Sequence, residues 1–376
     1  MIKYNKKKRL GILAIHNVDN YGAILQSFAF YKYLNKFTNA KIINYQNPVF
    51  SSHLRLIRYN GLSSLKSCLK DLIRLNFRYR LINKFKNFIK KNLKLTKPVN
   101  LSYMYSNSFL RNFDALVVSS DQVWNPNITH FDKKLRGDYF LNINTKRKLK
   151  KFSYGSSFGS RIFDKSEIYK INSYLNNLDL ISVREKSSLK FINKKNLKKT
   201  KLVIDPVFLM DNKFWKNKAS EKKKPINKNY ILVYSVSRSL LIKKAVRDLN
   251  KNLNLKVLTI DPNLLSICEH DKKISDAGLE EFLYYYKNSS FVITDSFHGA
   301  CFSLIFDKKF LAVISSKKYA NRITEFLKYV KCENNIFKKN SYIKNINNYK
   351  ISKYSKKKIY QFTERSKNYL RNALNK

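Results

Sequence analysis

The chain has 376 residues and a formal charge of +51, from 76 Lys and Arg against 25 Asp and Glu. Its 44% apolar residues, with 26 Phe and 25 Tyr, can bury large cores, which excludes global disorder. Eight Gly and six Pro exclude collagen-like and low-complexity chains, and the length suits two ordinary domains or one large one.

After the basic MIKYNKKKRL, Leu10–Ile15 reads as a buried strand. No signal-peptide pattern follows. The strand ends in His16-Asn17-Val18-Asp19-Asn20-Tyr21-Gly22, and Ala23–Leu34 reads as a helix. Asn20 suits a helix cap, and Gly22 would let the backbone approach a ligand. His16 and Asp19 either face a cleft or belong to a capped turn. The loop is not G-x-G-x-x-G, so the standard dinucleotide fingerprint is absent. Lys41–Tyr45 is a second short strand.

Residues 55–97 carry 13 Lys and Arg and one acid, Asp71, with Leu and Phe at roughly helical spacing. One reading is a basic amphipathic surface for anionic lipid or polymer. The reading favoured on sequence is one or two ordinary helices packed on the first domain, because any surface helix is amphipathic.

Ala115–Ser119 is a third strand, ending in Ser120-Asp121-Gln122-Val123-Trp124-Asn125-Pro126. Asp121, Gln122 and Asn125 suit bidentate bonds to sugar hydroxyls, and Trp124 suits stacking on a sugar face. The alternative is a polar loop anchored by a buried Trp. Phe152–Ser156, Leu180–Val183 and Lys201–Ile204 continue the strand series, the last closed by Asp205-Pro206. Ser182-Val183-Arg184-Glu185 places an Arg at a strand end, either as an anion clamp or as a surface pair with Glu185.

A second array follows the charged stretch Asn212–Lys228. Its strands are Tyr230–Val236, Lys256–Ile260, Phe291–Thr294 and Phe310–Ile314. Its helices are Leu241–Asn252, Leu279–Lys287, Gly299–Phe306 and Arg322–Val330. Apolar strands separated by helices predict an α/β fold with parallel sheets. The expected domains are residues 1–211, 212–335 and a basic helical tail over 336–376. Ligands in such folds bind beyond the carboxyl ends of the strands. The strongest local signal there is Thr294-Asp295-Ser296-Phe297-His298-Gly299, which sets His298 at a helix N-terminus, suited to a proton donor or an anion ligand.

Cys68, Cys268, Cys301 and Cys332 are widely spaced, so neither a zinc site nor a disulfide scaffold is expected, and a reducing cytosol fits. No run of 18 apolar residues exists. Lys, Asn, Ile, Tyr and Phe are over-used as an AT-rich coding sequence would dictate. Codon usage therefore takes the larger share of the charge, with attraction to membrane, nucleic acid or an anionic substrate left open.

Taken together, His16 to Gln26, Ser120 to Asn125, Ser153-Tyr154 with Ser157-Phe158-Gly159, Ser182 to Glu185, Asp205-Pro206 and Thr294 to Gly299 resemble the polysaccharide pyruvyl transferase family in order and spacing, over about residues 8 to 330. The resemblance implies a GT-B-like fold of two Rossmann-like domains facing across a cleft. It implies transfer of the enolpyruvyl unit of phosphoenolpyruvate to two hydroxyls of one sugar, giving a cyclic ketal and phosphate. It places Arg184 and His298 in donor binding and catalysis, with Ser296 and Gly299 beside them. Several members carry Arg at the position of Ser296, and many carry Gly at that of Ser119. His16, Asp19, Asn20, Asp121, Gln122, Trp124 and Asn125 fall on the acceptor side. His298 is the expected acid for the donor methylene, and Asp121 or Asp19 the expected base. Phosphoenolpyruvate is a co-substrate, and no cofactor or metal is expected. The expected partner is a glycan or lipid-linked glycan, in the cytoplasm or peripherally at the inner membrane face.

Two other classes compete. One is a nucleotide-sugar glycosyltransferase of similar shape, marked by UDP or GDP binding. The other is a basic, non-catalytic binder of nucleic acid or membrane. The aromatics fall within strands and helices and no nucleic-acid-binding signature appears, which disfavours specific nucleic-acid binding.

Overall fold

The computed structural model describes residues 7–58, 65–143, 145, 148–219, 229–315, 317–343 and 345–375. Of the stretch expected to join the domains, residues 220–228 lie outside those described.

Two compact units divide the chain. The first holds Met1–Leu54, Ile89–Leu209 and Phe362–Lys376, and the second Arg55–Phe88 and Met210–Gln361. In the first, β1 (Arg9–Leu13), β2 (Asn39–Ile42), β3 (Ala115–Val118) and β4 (Lys150–Ser153) form a parallel sheet in the order β2-β1-β3-β4. A parallel pair, β5 (Ile181–Val183) and β6 (Thr200–Leu202), continues it through bridges from Phe152 to Leu180 and from Ser156 to Val183. These strands are short and apolar because helices cover both faces. The helix Tyr21–Leu34 exposes little but Lys32, since it packs against the turn Pro206–Leu209 as well as the sheet. Chain direction reverses between β1 and β3, so the first topological switch point lies at their carboxyl ends.

In the second unit β7 (Tyr230–Tyr234), β8 (Lys256–Ile260), β9 (Lys272–Ile274), β10 (Phe291–Thr294), β11 (Lys309–Val313) and β12 (Ile336–Phe337) form one parallel sheet, ordered β12-β11-β10-β7-β8-β9. Read from the other edge, this is the 3-2-1-4-5-6 order of dinucleotide-binding folds, with its switch point between β7 and β10. Ile231, Val233, Ile242, Val246, Leu249, Ile293 and Leu311 fill one core layer. The structure thus has the α/β class and the two parallel, Rossmann-like sheets expected from sequence. It adds β9 and β12, three- and two-residue strands too brief to show a period, and the helix Lys165–Asn176, opened by a capping box of Asp164 and Glu167.

The domain boundaries differ from expectation. Residues 55–88 belong with the second unit and not the first, and the end of the helix Lys353–Asn375 belongs with the first. Contacts distant in sequence decide both. Arg74 Nη1 donates to the Pro262 carbonyl at 3.0 Å, and Lys84 pairs with Glu281 at 2.7 Å. At the far end, Ser366 Oγ accepts from Ile204 N at 2.9 Å, and Tyr369 Oη donates to the Ser153 carbonyl at 2.8 Å.

Asp71 fastens residues 55–88 internally. Its carboxylate accepts from Arg58 N, Nε and Nη2 at 3.1, 2.9 and 2.9 Å and from Arg74 Nη2 at 2.7 Å. Burial alone would raise its pKa. The hydrogen bonds from Arg58 and Arg74, with the Arg78 charge, outweigh that and hold it at about 2. A depressed carboxylate stabilises the fold above its unfolded pKa, and that stability is lost as pH falls toward the folded value. Asp71→Asn should therefore cost about 3–5 kcal/mol at neutral pH, the range for breaking a buried ion pair. Denaturant unfolding at a series of pH values should show the gap to wild type closing between about pH 4 and pH 2.

Candidate active site

The carboxyl edge of the first sheet gathers most of the polar residues singled out in sequence. After β1, Asn20 is exposed and caps the helix Tyr21–Leu34 by accepting from Ala23 N at 3.1 Å. His16 is buried, with Nδ1 3.0 Å from the Ala14 carbonyl and Nε2 3.1 Å from Asn44 Oδ1. Burial lowers its pKa, so it sits there as a neutral structural residue and does not face an acceptor. Asp19 is partly exposed and pairs with His53 Nδ1 at 2.9 Å. Sequence reading passed over His53, because it stands 34 positions away in a basic stretch and nothing local marks it.

After β3, Asp121 takes φ = +81°, a left-handed conformation unusual for a non-glycine residue. Such strain is kept where surrounding contacts over-determine it, often at functional sites. Its Oδ1 accepts from Gln122 N at 2.8 Å, and its carbonyl accepts from Ser157 N at 3.0 Å. Gly159, at φ = +65°, passes so close to Gln122 and Asn125 that a Cβ would fall 2.8 Å from Asn125 Nδ2. Asn125 is buried, caps the short helix Pro126–Thr129 and donates to Gln122 Oε1 at 3.0 Å. Trp124 is 1% exposed, stacked at 5.1 Å on Phe140, with Nε1 donating to the Tyr139 carbonyl at 2.8 Å. Here the anchored-loop reading wins for two residues: Trp124 has no face open to a sugar, and Asn125 is a cap. Asp19, Asn20, Asp121 and Gln122 keep accessible surface.

Arg184 is buried and is not the surface pair expected as one alternative. Its side chain is 3% exposed, with Nη1 donating to Asp205 Oδ2 at 2.6 Å, while Nη2 lies 3.7 Å from Asp121 Oδ1 and Nε 3.8 Å from Glu185 Oε2 as ion pairs. Burial alone would lower its pKa, but the three carboxylates outweigh that and raise it, so the guanidinium stays charged. These contacts hold the carboxyl ends of β3 and β5 and the 205–206 turn together.

A pocket of about 230 Å³ opens near the end of β2, lined by Tyr45, Asn47, His130, Phe131, Asp132 and Arg136 among others. Behind it Asp138 is buried and receives the Tyr45 hydroxyl at 3.2 Å, with His130 Nε2 also at 3.2 Å. Aromatic surface beside hydroxyl, amide and carboxylate groups is what a sugar needs.

The second unit builds its edge around Asp295, at the switch point. That carboxylate accepts from Ser235 Oγ at 2.7 Å, Val236 N at 2.7 Å, Ser237 N at 3.1 Å and Ser237 Oγ at 2.5 Å. It thereby ties the loop after β7 to the end of β10. Ser296 caps the helix Phe297–Ile305, accepting from Gly299 N at 3.2 Å. His298 occupies the first turn, largely buried, its ring edge-on to Phe297 at 5.3 Å. Gly299 is needed for packing: a Cβ there would overlap Thr294 Oγ1 and lie 2.9 Å from Tyr286 Oη. Arg238, next to the Asp295-bound serines, has φ = +55° and a partly exposed guanidinium, paired with Asp261 at 2.5 Å. It was missed in sequence because one Arg in a Lys-rich chain carries no local mark. Among the described residues, no group of three His, Cys, Asp or Glu is arranged to hold a metal ion.

A family model for polysaccharide pyruvyl transferase matches residues 20–317, and the chain belongs to that family. No curated protein matches it. Among solved structures, UDP-GlcNAc 2-epimerase from Methanocaldococcus jannaschii is 12% identical, with TM-score 0.47 over 95% of this chain and 92% of that one. The S. aureus MnaA–UDP co-structure is 13% identical, TM-score 0.47, covering 95% and 87%. The glycotransferase of kitacinnamycin is 6% identical, TM-score 0.44, covering 98% and 100%.

The Arg184 cluster yields a test. If Arg184 organises the edge, Arg184→Ala should lower stability by about 3–5 kcal/mol, since it strands buried carboxylates. Arg184→Lys should recover most of the stability while turnover stays depressed, because an ammonium cannot reproduce the planar fork. Thermal melts with a separate kcat and donor KM would show it. A risen donor KM with an unchanged melt would return Arg184 to the role of direct clamp.

Proposed function

We propose that this member of the polysaccharide pyruvyl transferase family moves the enolpyruvyl group of phosphoenolpyruvate onto two hydroxyls of one sugar in a surface polysaccharide or its precursor. Donor-side roles are assigned to the second unit and acceptor-side roles to the first. The observation that carries the reading is His298 in the first turn of a capped helix, at the switch point that Asp295 organises.

The donor is an anion at physiological pH, and a helix N-terminus attracts anions. Several family members carry Arg at the position of Ser296, and in this chain Arg238 is the cation assigned to the donor at this edge. The chemistry needs one acid and one base. His298 gives a proton to the donor methylene, so the adjacent enol carbon becomes an electrophilic oxocarbenium. An acceptor hydroxyl oxygen bonds to that carbon and gives its proton to a base. His53, oriented through Nδ1 by Asp19, is that base, with Asp121 as the alternative. The phosphate then leaves with the C–O bonding pair. A second hydroxyl of the same sugar closes the ketal, and its proton ends on the released phosphate. The pocket of Tyr45, Asn47, His130 and Arg136 is assigned to the acceptor sugar.

The direct experiment is phosphate release from phosphoenolpyruvate across a panel of glycan acceptors, with mass spectrometry for the ketal. Tight UDP or GDP binding with no phosphate release would replace this reading with the nucleotide-sugar one, which the 3-2-1-4-5-6 strand order also accommodates.

His298→Asn should keep the fold, because the cap is Ser296, and should lose roughly a hundredfold or more in kcat, the usual scale for a general acid. Donor affinity by titration should change less. A folded variant with near-normal turnover would remove His298 from the chemistry. For the base, His53→Gln should lower kcat by about 10²–10⁴-fold with a smaller change in donor KM. Asp19→Asn should produce a smaller loss of kcat. If His53→Gln leaves kcat intact, Asp121 inherits the role.

A further inference from the structure

The helix Leu65–Ile73 is built inside out. Its acid, Asp71, has no exposed surface, whereas Leu69, Leu72 and Ile73 are 62%, 51% and 63% exposed. Those three stand at i, i+3 and i+4, one stripe on one face. Leu56 and Ile57 before the helix, and Leu75, Phe77 and Tyr79 after it, are exposed as well. An ordinary surface helix does the reverse, turning its apolar stripe inward.

This arrangement is held firmly. Asp71 takes five hydrogen bonds from Arg58 and Arg74. Arg78 is buried and donates to the carbonyls of Arg55 at 2.6 Å and Leu56 at 2.8 Å. The Arg74 bond to Pro262 fixes the helix to the body of the second unit. The outward stripe is thus the counterpart of an inward polar cluster.

The charge on this segment has one sign. Arg55, Lys70, Arg80, Lys86 and Lys90 are exposed, and Asp71 is the sole acid between residues 55 and 97. Arg80 also pairs with Asp276 at 2.5 Å and stacks at 4.9 Å on Phe77. A surface that accepts this face must offer an apolar layer beside negative charge. Nucleic acid offers charge with no apolar sink. A second copy would set +51 against +51. A bilayer with anionic headgroups offers both.

We infer that this face docks on an anionic phospholipid surface. Leu69, Leu72 and Ile73 enter the headgroup–acyl boundary, and the exposed Lys and Arg meet lipid phosphates. The inference does not rest on the reaction proposed above. If that reaction holds, the docking would bring the enzyme to lipid-linked acceptors.

The test uses the full chain in flotation with phosphatidylcholine vesicles, with and without phosphatidylglycerol. Wild type should float with the anionic vesicles and progressively less as salt rises. The triple variant Leu69→Ser, Leu72→Ser, Ile73→Ser should float roughly tenfold less at every salt concentration, with an unchanged melt. Leu72→Trp gives a second readout, since Trp124 and Trp215 are buried and insensitive to lipid. Its emission should shift to the blue on anionic vesicles and be quenched by brominated acyl chains. Should the triple variant fail to fold, this readout decides alone. No enrichment of wild type on anionic vesicles, or an unmoved Leu72→Trp emission, would overturn the inference. So would a folded triple variant that floats like wild type. A dimer that the triple variant dissolves while flotation persists would overturn it in favour of self-association.

Discussion

A parallel sheet covered on both faces leaves the carboxyl ends of its strands as the place where backbone and ligand meet. Both sheets here are of that kind, and each changes direction once. The polar chemistry collects at those two reversals: His16 to Asn20 and Asp121 at the first, Asp295 to His298 at the second. The core strands are nearly all apolar, so the charged groups sit at strand ends, the Arg184 cluster after β5 included.

At each reversal a buried carboxylate does the organising, in different ways. Asp295 collects hydroxyls and backbone N–H groups, so its charge is met by dipoles and a cation is not needed. Asp205, Asp121 and Glu185 share one guanidinium, so the first edge is tied together by ion pairs. The second edge carries a capped helix start and the Arg238–Asp261 pair, and the first carries the Asp19–His53 pair and the Arg184 cluster.

What could be read in the sequence follows the range of the forces involved. Strand and helix positions were legible because a two-sided parallel strand and its following helix are local patterns. The loop at Thr294–Gly299 was legible for the same reason, being a turn between two strong apolar runs. Residues whose meaning depends on a distant partner were not. His53 acquires a role only from Asp19, and Arg184 only from Asp205 and Asp121 together. Trp124 reads alike as a stacking platform or a core anchor until Phe140 and Phe158 are placed against it. The segment 55–88 shows the limit most clearly. Its helical period was visible, but the outward sense of its apolar stripe is fixed by three arginines converging on Asp71.

The acids sharpen the meaning of the charge. With 76 basic residues against 25 acidic ones, coding bias accounts for a general excess of Lys, because a solvated Lys replaces a solvated neutral residue at little cost to the fold. It cannot account for where the few acids went. Asp71, Asp138, Glu185, Asp205, Asp261 and Asp295 are all buried, where an unpaired carboxylate would be expensive, and each is met by a guanidinium, a hydroxyl, an imidazole or backbone N–H groups. Such positions have no neutral substitute without loss of the loop or helix they hold. A surface drifting toward Lys and an interior holding its carboxylates are therefore compatible, and the sum of +51 describes the first alone. Charge becomes informative only where it is arranged, as along residues 55–97, where the sole acid faces inward and the exposed cations stand beside exposed leucine and isoleucine.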